Sequence, residues 1–283
     1  MKTNSKIAQV ENLKWLIMLI PLIFVSFTLL VPLSGILKKS FIDSNGFTIE
    51  YYIKAFTEPL YLTVLYNTLK TACIVTLMAL LLAYPVAYLS VCINNSLIKR
   101  LITAGILIPY WISMLVRIFA WQIILQTNGI LNQFLMFFHI TAEPLEFMYT
   151  STAVYISMTH ILLPYMFLSL QSNMEGINQT LITAAIGMGA KPRTAFKDVF
   201  LPLSLPGIFS GSLMVFVLSL GFYIAPALLG GPNNMMISNI IEQNMNSFNS
   251  SLAAALSVQL LIIVFVIVAI ASKLVGNIFI KSK

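Results

Sequence analysis

Few residues of this chain are placed to do chemistry, and their types are informative. The 283 residues include nine Asp and Glu. These are Glu11, Asp43, Glu50, Glu58, Glu143, Glu146, Glu175, Asp198 and Glu242, and all fall between long apolar runs or near their ends. The apolar runs therefore hold no carboxylate pair for acid–base work, and no carboxylate of the kind a proton- or sodium-coupled carrier of cations uses. The sequence has no G-x4-G-K-[ST] loop, no nucleophile elbow and no cluster with metal-ligand spacing. Cys73 and Cys92 share one apolar run, roughly 28 Å apart along a helix and too far to bridge. The chain is expected to bind no cofactor and not to be an enzyme. What remains is a set of cationic and aromatic residues inside apolar runs, and one loop rich in small residues.

Arg117 lies about sixteen residues into the run that begins at Leu101, roughly 24 Å along a helix. An arginine there is expected to be paired, to hold a gate, or to snorkel to the interface. Lys70 is nearer a run end, where snorkelling is the simpler expectation. His160 is a hydrogen-bonded packing residue or a relay. Tyr84, Tyr110, Trp111, Tyr155, Tyr165 and Tyr223 are candidates to line a pathway by cation–π contact with an amine; an interfacial aromatic belt is the alternative. Gly207 and Gly211 form G-x3-G, which predicts close helix packing.

These residues need elements to hold them, and composition says which kind. The chain is 59% hydrophobic and 9% charged, against about 45–50% and 25% in soluble domains. Six apolar runs stand out: Trp15–Leu37, Leu62–Val91, Leu101–Leu125, Met148–Gln171, Pro206–Leu229 and Ser251–Phe279. Each is long enough to cross a hydrocarbon core of about 30 Å as a tilted helix. None shows the short alternation of a β-barrel strand. The first run lacks a small-residue cleavage site and is expected to stay as a helix. The expected fold is an all-α integral membrane protein of six transmembrane helices. Residues 1–14 would precede the membrane domain 15–280, and 281–283 would form a tail. Interior prolines Pro85, Pro109, Pro164 and Pro226 predict kinks or hinges.

Net charge is +7, yet nucleic acid is not implied, because the basic residues form no patch with interleaved aromatics. They follow the positive-inside rule instead. With the N-terminus inside, eleven Lys and Arg fall in inner segments: Lys2, Lys6, Lys14, Lys99, Arg100, Lys191, Arg193, Lys197, Lys273, Lys281 and Lys283. Only Lys38, Lys39 and Lys54 fall in outer ones. Both termini are thus expected in the cytoplasm.

Residues 172–205 form the longest inner loop, and Thr183 to Pro202 read T-A-A-I-G-M-G-A-K-P-R-T-A-F-K-D-V-F-L-P. Leu181, Ala184, Ala185 and Met188 recur at i, i+3, i+4 and i+7, one face of a helix. Asn178 or Thr180 suits its N-cap, Gly189 its end, and Pro192 the first turn of a second short helix. Leu201-Pro202 and Pro206 predict a further break before the fifth membrane helix. A small-residue face between breakers suits a plug for a groove on another protein. A helix lying at lipid headgroups, anchored by Lys191, Arg193 and Lys197, is the alternative.

The segment resembles the EAA loop of ABC importer permeases, E-A-A-x3-G-x9-I-x-L-P. Ala184, Ala185, Gly189, Leu201 and Pro202 match it, Val199 stands for Ile, and Thr183 departs from Glu. The stretches Leu115–Trp121 and Phe222–Gly231 resemble permeases of the spermidine/putrescine type. The resemblance implies a type I ABC importer permease fold in a bacterial inner membrane. It also implies that this loop is a coupling helix docking on a cytoplasmic ABC ATPase dimer, which uses the ATP and Mg. A second permease subunit and a substrate-binding protein complete the assembly it implies. Polyamines are the implied solute, another small organic solute an open alternative, and a standalone carrier or channel the rival class.

Overall fold

The computed structural model describes residues 2–43 and 46–280, with side chains for 18–43 and 46–273. The expected tail 281–283, with Lys281 and Lys283, lies outside the described residues, as do the side chains of Lys2, Lys6 and Lys14.

Thirteen α-helical elements and one small hairpin run along the described chain. They are α1 (Lys2–Phe41), β1 (Ile42–Asp43), β2 (Gly46–Phe47), α2 (Glu50–Thr57), α3 (Pro59–Cys92), α4 (Ser96–Trp111), α5 (Met114–Leu125) and α6 (Ile130–Phe137). Then follow α7 (Ser151–Glu175), α8 (Gln179–Gly187), α9 (Pro192–Ala195), a π-helical turn (Phe196–Phe200), α10 (Leu201–Leu220), α11 (Ile224–Leu229), α12 (Ile237–Asn246) and α13 (Ser250–Ile280). Among the described residues six stretches are long and apolar enough to cross a membrane: Met18–Phe41, Pro59–Cys92, Met114–Phe137, Ser151–Glu175, Pro192–Leu220 and Ser250–Lys273.

α7 is the centre of the bundle, and α3 and α10 pack along it. Lipid tails are as apolar as leucine, so such helices associate through close contact rather than through the hydrophobic effect. The sequence supplies that contact with small residues. Ala72, Ala79, Ala83 and Ala87 of α3 are fully buried. On α10, a Cβ at Gly207 would sit 2.7 Å from Asn173 Cβ, and one at Gly211 would sit 2.8 Å from Met166 Sδ. Ser169 and Ser210 hydroxyls lie 2.8 Å apart across the same seam. The G-x3-G pair is thus a packing device, as its spacing predicts. By contrast α1 keeps its apolar side chains exposed along Met18–Val31 and packs mainly against α13, with Ser40 and Phe41 at its end meeting Tyr52 of α2.

A second, smaller core joins α2, the start of α3, α12 and α13 through Ala55, Val64, Ile237, Ile240 and Leu256. Polar bonds lock it: Ile237 N–H donates to Thr68 Oγ1 at 2.8 Å, and Gln259 Nε2 donates to the Ala55 carbonyl at 3.0 Å. Beside it the Tyr51 hydroxyl donates to Asp43 Oδ2 at 2.8 Å, and that carboxylate raises the phenol's pKa. Between α6 and α7, buried Asn132 exchanges hydrogen bonds with both the N–H and the carbonyl of Leu145.

Two expected runs differ in the structure. The run Leu101–Leu125 is not one helix: Ile112 and Ser113 are extended and separate α4 from α5. Pro109 removes a donor just before the break. The fifth span is Pro192–Leu220 rather than Pro206–Leu229. No break occurs at Leu201-Pro202 or Pro206: Pro206 lies inside α10, and the π-helical turn precedes Pro202. There the Leu201 N–H reaches five residues back to the Phe196 carbonyl. The wider turn relieves the clash a proline ring makes with the carbonyl four residues earlier. The chain breaks instead at Gly221–Tyr223.

The two seam glycines are expected to differ under substitution. Gly207→Ala meets Asn173 near its backbone, whereas Gly211→Ala meets the movable end of Met166. Gly207→Ala should cost about 1–3 kcal/mol, the overpacking range, and Gly211→Ala less than half of that. Thermal unfolding of the detergent-solubilised protein checks the order, and equal losses would remove the seam from this account.

Candidate functional site

The inner loop folds much as its residues predict. Asn178 caps α8, its Oδ1 accepting from the Thr180 N–H at 3.0 Å. Gly189 has φ +91°, the left-handed region that ends a helix at little cost for glycine. Pro192 occupies the first turn of α9. Ile182 packs on the core, which leaves Leu181, Ala184, Ile186 and Met188 exposed, Met188 by 85%. Ala185 is half-buried, and Thr183 is exposed, with its hydroxyl bonded back to the Gln179 carbonyl. Val199 and Leu201 are half-buried, and Pro202 is exposed beside the π-helical turn.

Below α8, that turn is wedged by aromatics. Phe196 and Phe200 stack at 5.8 Å, and Tyr88 meets Phe200 edge-on at 4.9 Å. Tyr84 belongs here: its ring faces Phe196 at 6.4 Å and its hydroxyl lies 2.9 Å from Ser204 Oγ. Sequence reasoning grouped Tyr84 with pathway aromatics and missed Tyr88, Phe196 and Phe200. The four-residue spacing of Tyr84 with Tyr88 and of Phe196 with Phe200 was the available signal.

Four other candidates do come together. Arg117, Tyr110, Trp111 and Tyr165 line a cavity of about 530 Å³, with Phe222 and Leu218 opposite. The α4–α5 break opens it. Tyr110 and Tyr165 meet edge-on at 5.4 Å, and Trp111 is 85% exposed at the rim. Arg117 is only 9% exposed, and its Nε and Nη1 find no acceptor among the described residues. It does not snorkel outward as a free head. His160 lies on the far side of α5's Trp121, whose Nε1 donates to His160 Nδ1 at 3.2 Å, a packing arrangement. Tyr223 stands half-exposed next to Phe222, and its carbonyl accepts from Asn239. Tyr155 and Lys70 line a separate small recess with Asn67 and Asn234. Among the described residues no group of His, Cys, Asp or Glu is arranged to hold a metal.

A bundle with six described spans, a short exposed helix in the loop before the fifth of them and an aromatic cavity at a helix break is the build of a transport permease. The chain belongs to the family of binding-protein-dependent transport system inner membrane components, which matches residues 79–279. It is thus a multi-pass inner-membrane permease subunit of an ABC importer. It is 34% identical over 218 residues to the spermidine/putrescine transport system permease protein PotB of Escherichia coli (strain K12), covering 77% of this chain and 78% of the relative. To the protein of that name in Haemophilus influenzae it is 32% identical over 252 residues, covering 85% and 87%. A bacterial ABC transporter involved in import of the acidic polysaccharide alginate superposes with a TM-score of 0.74 at 17% identity, over 96% of this chain and 99% of that one. The MetNI methionine ABC transporter, inward facing, does so at 0.61 and 20% identity, over 79% and 99%. At these identities the structural likeness establishes the fold, that of type I importer permeases.

Arg117 carries a cost in the isolated chain, since buried donors without acceptors lose their hydration. Arg117→Met should therefore raise the thermal stability of the separately purified subunit, by about 1–3 kcal/mol. A variant less stable than wild type would show that the guanidinium is satisfied within this chain.

Proposed function

We propose that this chain forms half of the membrane pathway of an ATP-driven importer of polyamines. α8 would be the coupling helix that docks on a cytoplasmic ABC ATPase dimer. A second permease subunit would form the other half, and a substrate-binding protein would deliver solute from the opposite side. Both termini would face the cytoplasm, as the distribution of Lys and Arg supports. ATP and Mg would be used by the ATPase alone.

The observation that carries this reading is the exposed face of α8, held between a capped start and the left-handed Gly189. Ala184 on that face lets another backbone approach closely, and nothing in the described chain covers the face. Loss of the family glutamate at Thr183 removes a charge but leaves that shape. The solute is supported by the spermidine/putrescine permeases that the chain resembles in sequence. ATP-driven closure of the ATPases would draw paired coupling helices together and open the pathway outward. Release would reverse it, alternating between two packings of one bundle.

Arg117 fits the role of a gate in this scheme. A bare cation would repel a polyamine, so the guanidinium is expected to be paired with an acceptor in the closed assembly. Tyr110, Trp111 and Tyr165 around it offer π faces to a passing ammonium.

Two measurements test the reading. Tagged chain co-expressed with its neighbouring genes should retain an ATPase through purification; a chain that transports alone in vesicles would favour the standalone carrier. Gly189→Asp should insert normally, because a Cβ there meets open space. A left-handed residue with a Cβ costs roughly 1–2 kcal/mol, which is about tenfold in a docking equilibrium. ATPase retention and uptake should both fall by about that factor, and unchanged uptake would remove α8 from the coupling role.

A further inference from the structure

A cavity of about 400 Å³ lies on the other side of the membrane from α8, since the chain crosses once through α10 between them. α12 forms its polar wall. Asn239, Glu242, Gln243 and Asn246 recur at i, i+3, i+4 and i+7, one face of that helix. The opposite face, with Ile237 and Ile240, is buried in the second core and fixes the orientation. Asn239 is fully engaged: its Oδ1 accepts from the Met236 N–H at 3.0 Å, and its Nδ2 donates to the Tyr223 carbonyl at 2.9 Å. It is structural. Glu242 accepts a hydrogen bond from Asn246 on Oε1 alone, and among the described residues it has no cationic partner.

The facing wall is Tyr149, whose backbone is in the left-handed region at φ +61°. That region is unfavourable for a bulky residue and persists only where surroundings enforce it. Here Gly231, itself at φ +64°, packs against the Tyr149 backbone, and the ring is left 66% exposed at the cavity. Pro232 and Met235 complete an apolar floor.

One carboxylate, one aromatic face and one unengaged amide, with no Lys or Arg in the lining, select a particular ligand. An anion is repelled. A divalent metal needs more oxygen ligands than one carboxylate supplies. An organic ammonium suits all three groups: the carboxylate pairs with it, the ring accepts cation–π contact and the amide oxygen takes an N–H. We propose that this cavity is an entry subsite for one ammonium group of an organic polycation, held by Glu242, Tyr149 and Gln243. The proposal rests on the polyamine reading above. The site is open to water, so binding is weak, which suits a station a solute must leave.

The test uses the complete transporter in proteoliposomes with its loaded binding protein, measuring radiolabelled spermidine uptake per ATP hydrolysed. Glu242→Gln should lower that ratio about fivefold, the scale of a solvent-screened ion pair with cation–π support. Glu242→Asp should recover at least half of the loss, and Gln243→Lys should lower the ratio as Glu242→Gln does. Wild-type spermidine uptake with an unaffected Glu242→Gln variant would overturn the subsite alone. No spermidine uptake by wild type would overturn the polyamine reading and the subsite together.

Discussion

Hydrocarbon offers no hydrogen-bond partner, so every break in a membrane helix must be answered by some other part of the protein. That constraint organises this chain. The break at Gly221–Tyr223 frees the Phe222 carbonyl just past the fifth span, and α12 answers it while adding a second hydrogen bond to the Tyr223 carbonyl, which already accepts the Ala227 N–H. Ser238 Oγ donates to Phe222 O at 2.7 Å, and Asn239 Nδ2 donates to Tyr223 O. α12 in turn needs its own first amides satisfied, and Thr68 on α3 takes that of Ile237. The position of α12, and of its polar face, thus follows from the need to cap a break. The π-helical turn is another answer to the same constraint. It accommodates Pro202 without exposing a severed helix end to lipid.

The inner loop was largely legible because its signals are local. Asn178, Gly189 and Pro192 act within one or two residues of where they stand, through side-chain capping, left-handed backbone freedom and a fixed φ. Pro202 misled because the effect of a proline depends on helix width, and a π-helical turn leaves no compositional mark. The break at Ile112–Ser113 was hidden for a related reason: apolar residues continue through it, and only Pro109 hints at it. Helix faces in the bundle were also hard to read. In lipid both faces of α3 are apolar, so the usual periodicity is flat, and the stripe Ala72, Ala79, Ala83, Ala87 was the signal that remained.

Site residues were legible as types and not as groups. An aromatic in an apolar run looks the same whether it joins Tyr84 at the π-helical turn or Tyr110 at the cavity. Which it joins depends on how α3, α4, α7 and α10 cross, and crossing is a tertiary property. Arg117 stood out because charge in a span is expensive wherever it sits. Glu242 did not, because a lone acid in a loop is unremarkable until a helix face and Tyr149 are placed around it.

The same elements suggest how the two sides of the molecule communicate on the proposed function. α8 rests through Ile182 on the core beside the π-helical turn, and the turn's Phe196 and Phe200 are wedged against Tyr84 and Tyr88 of α3. From there the helix runs without interruption to Leu220, and its far end contributes Leu218 to the Arg117 cavity, with Phe222 just beyond. Gly207 and Gly211 hold it tightly to α7 along the way. A continuous, closely packed helix transmits displacement rather than absorbing it, because cores at crystal-like density have two packings or one, not a continuum. On that reading, motion at α8 would reach the cavity as a rigid shift, with Gly221–Tyr223 as the first break in the helix. Beyond that point lies α12, so the Arg117 cavity and the Glu242 cavity sit on either side of the same hinge. A solute held at Glu242 and a motor acting at α8 would then bias one element from its two ends, which is the physical requirement for coupling between sites.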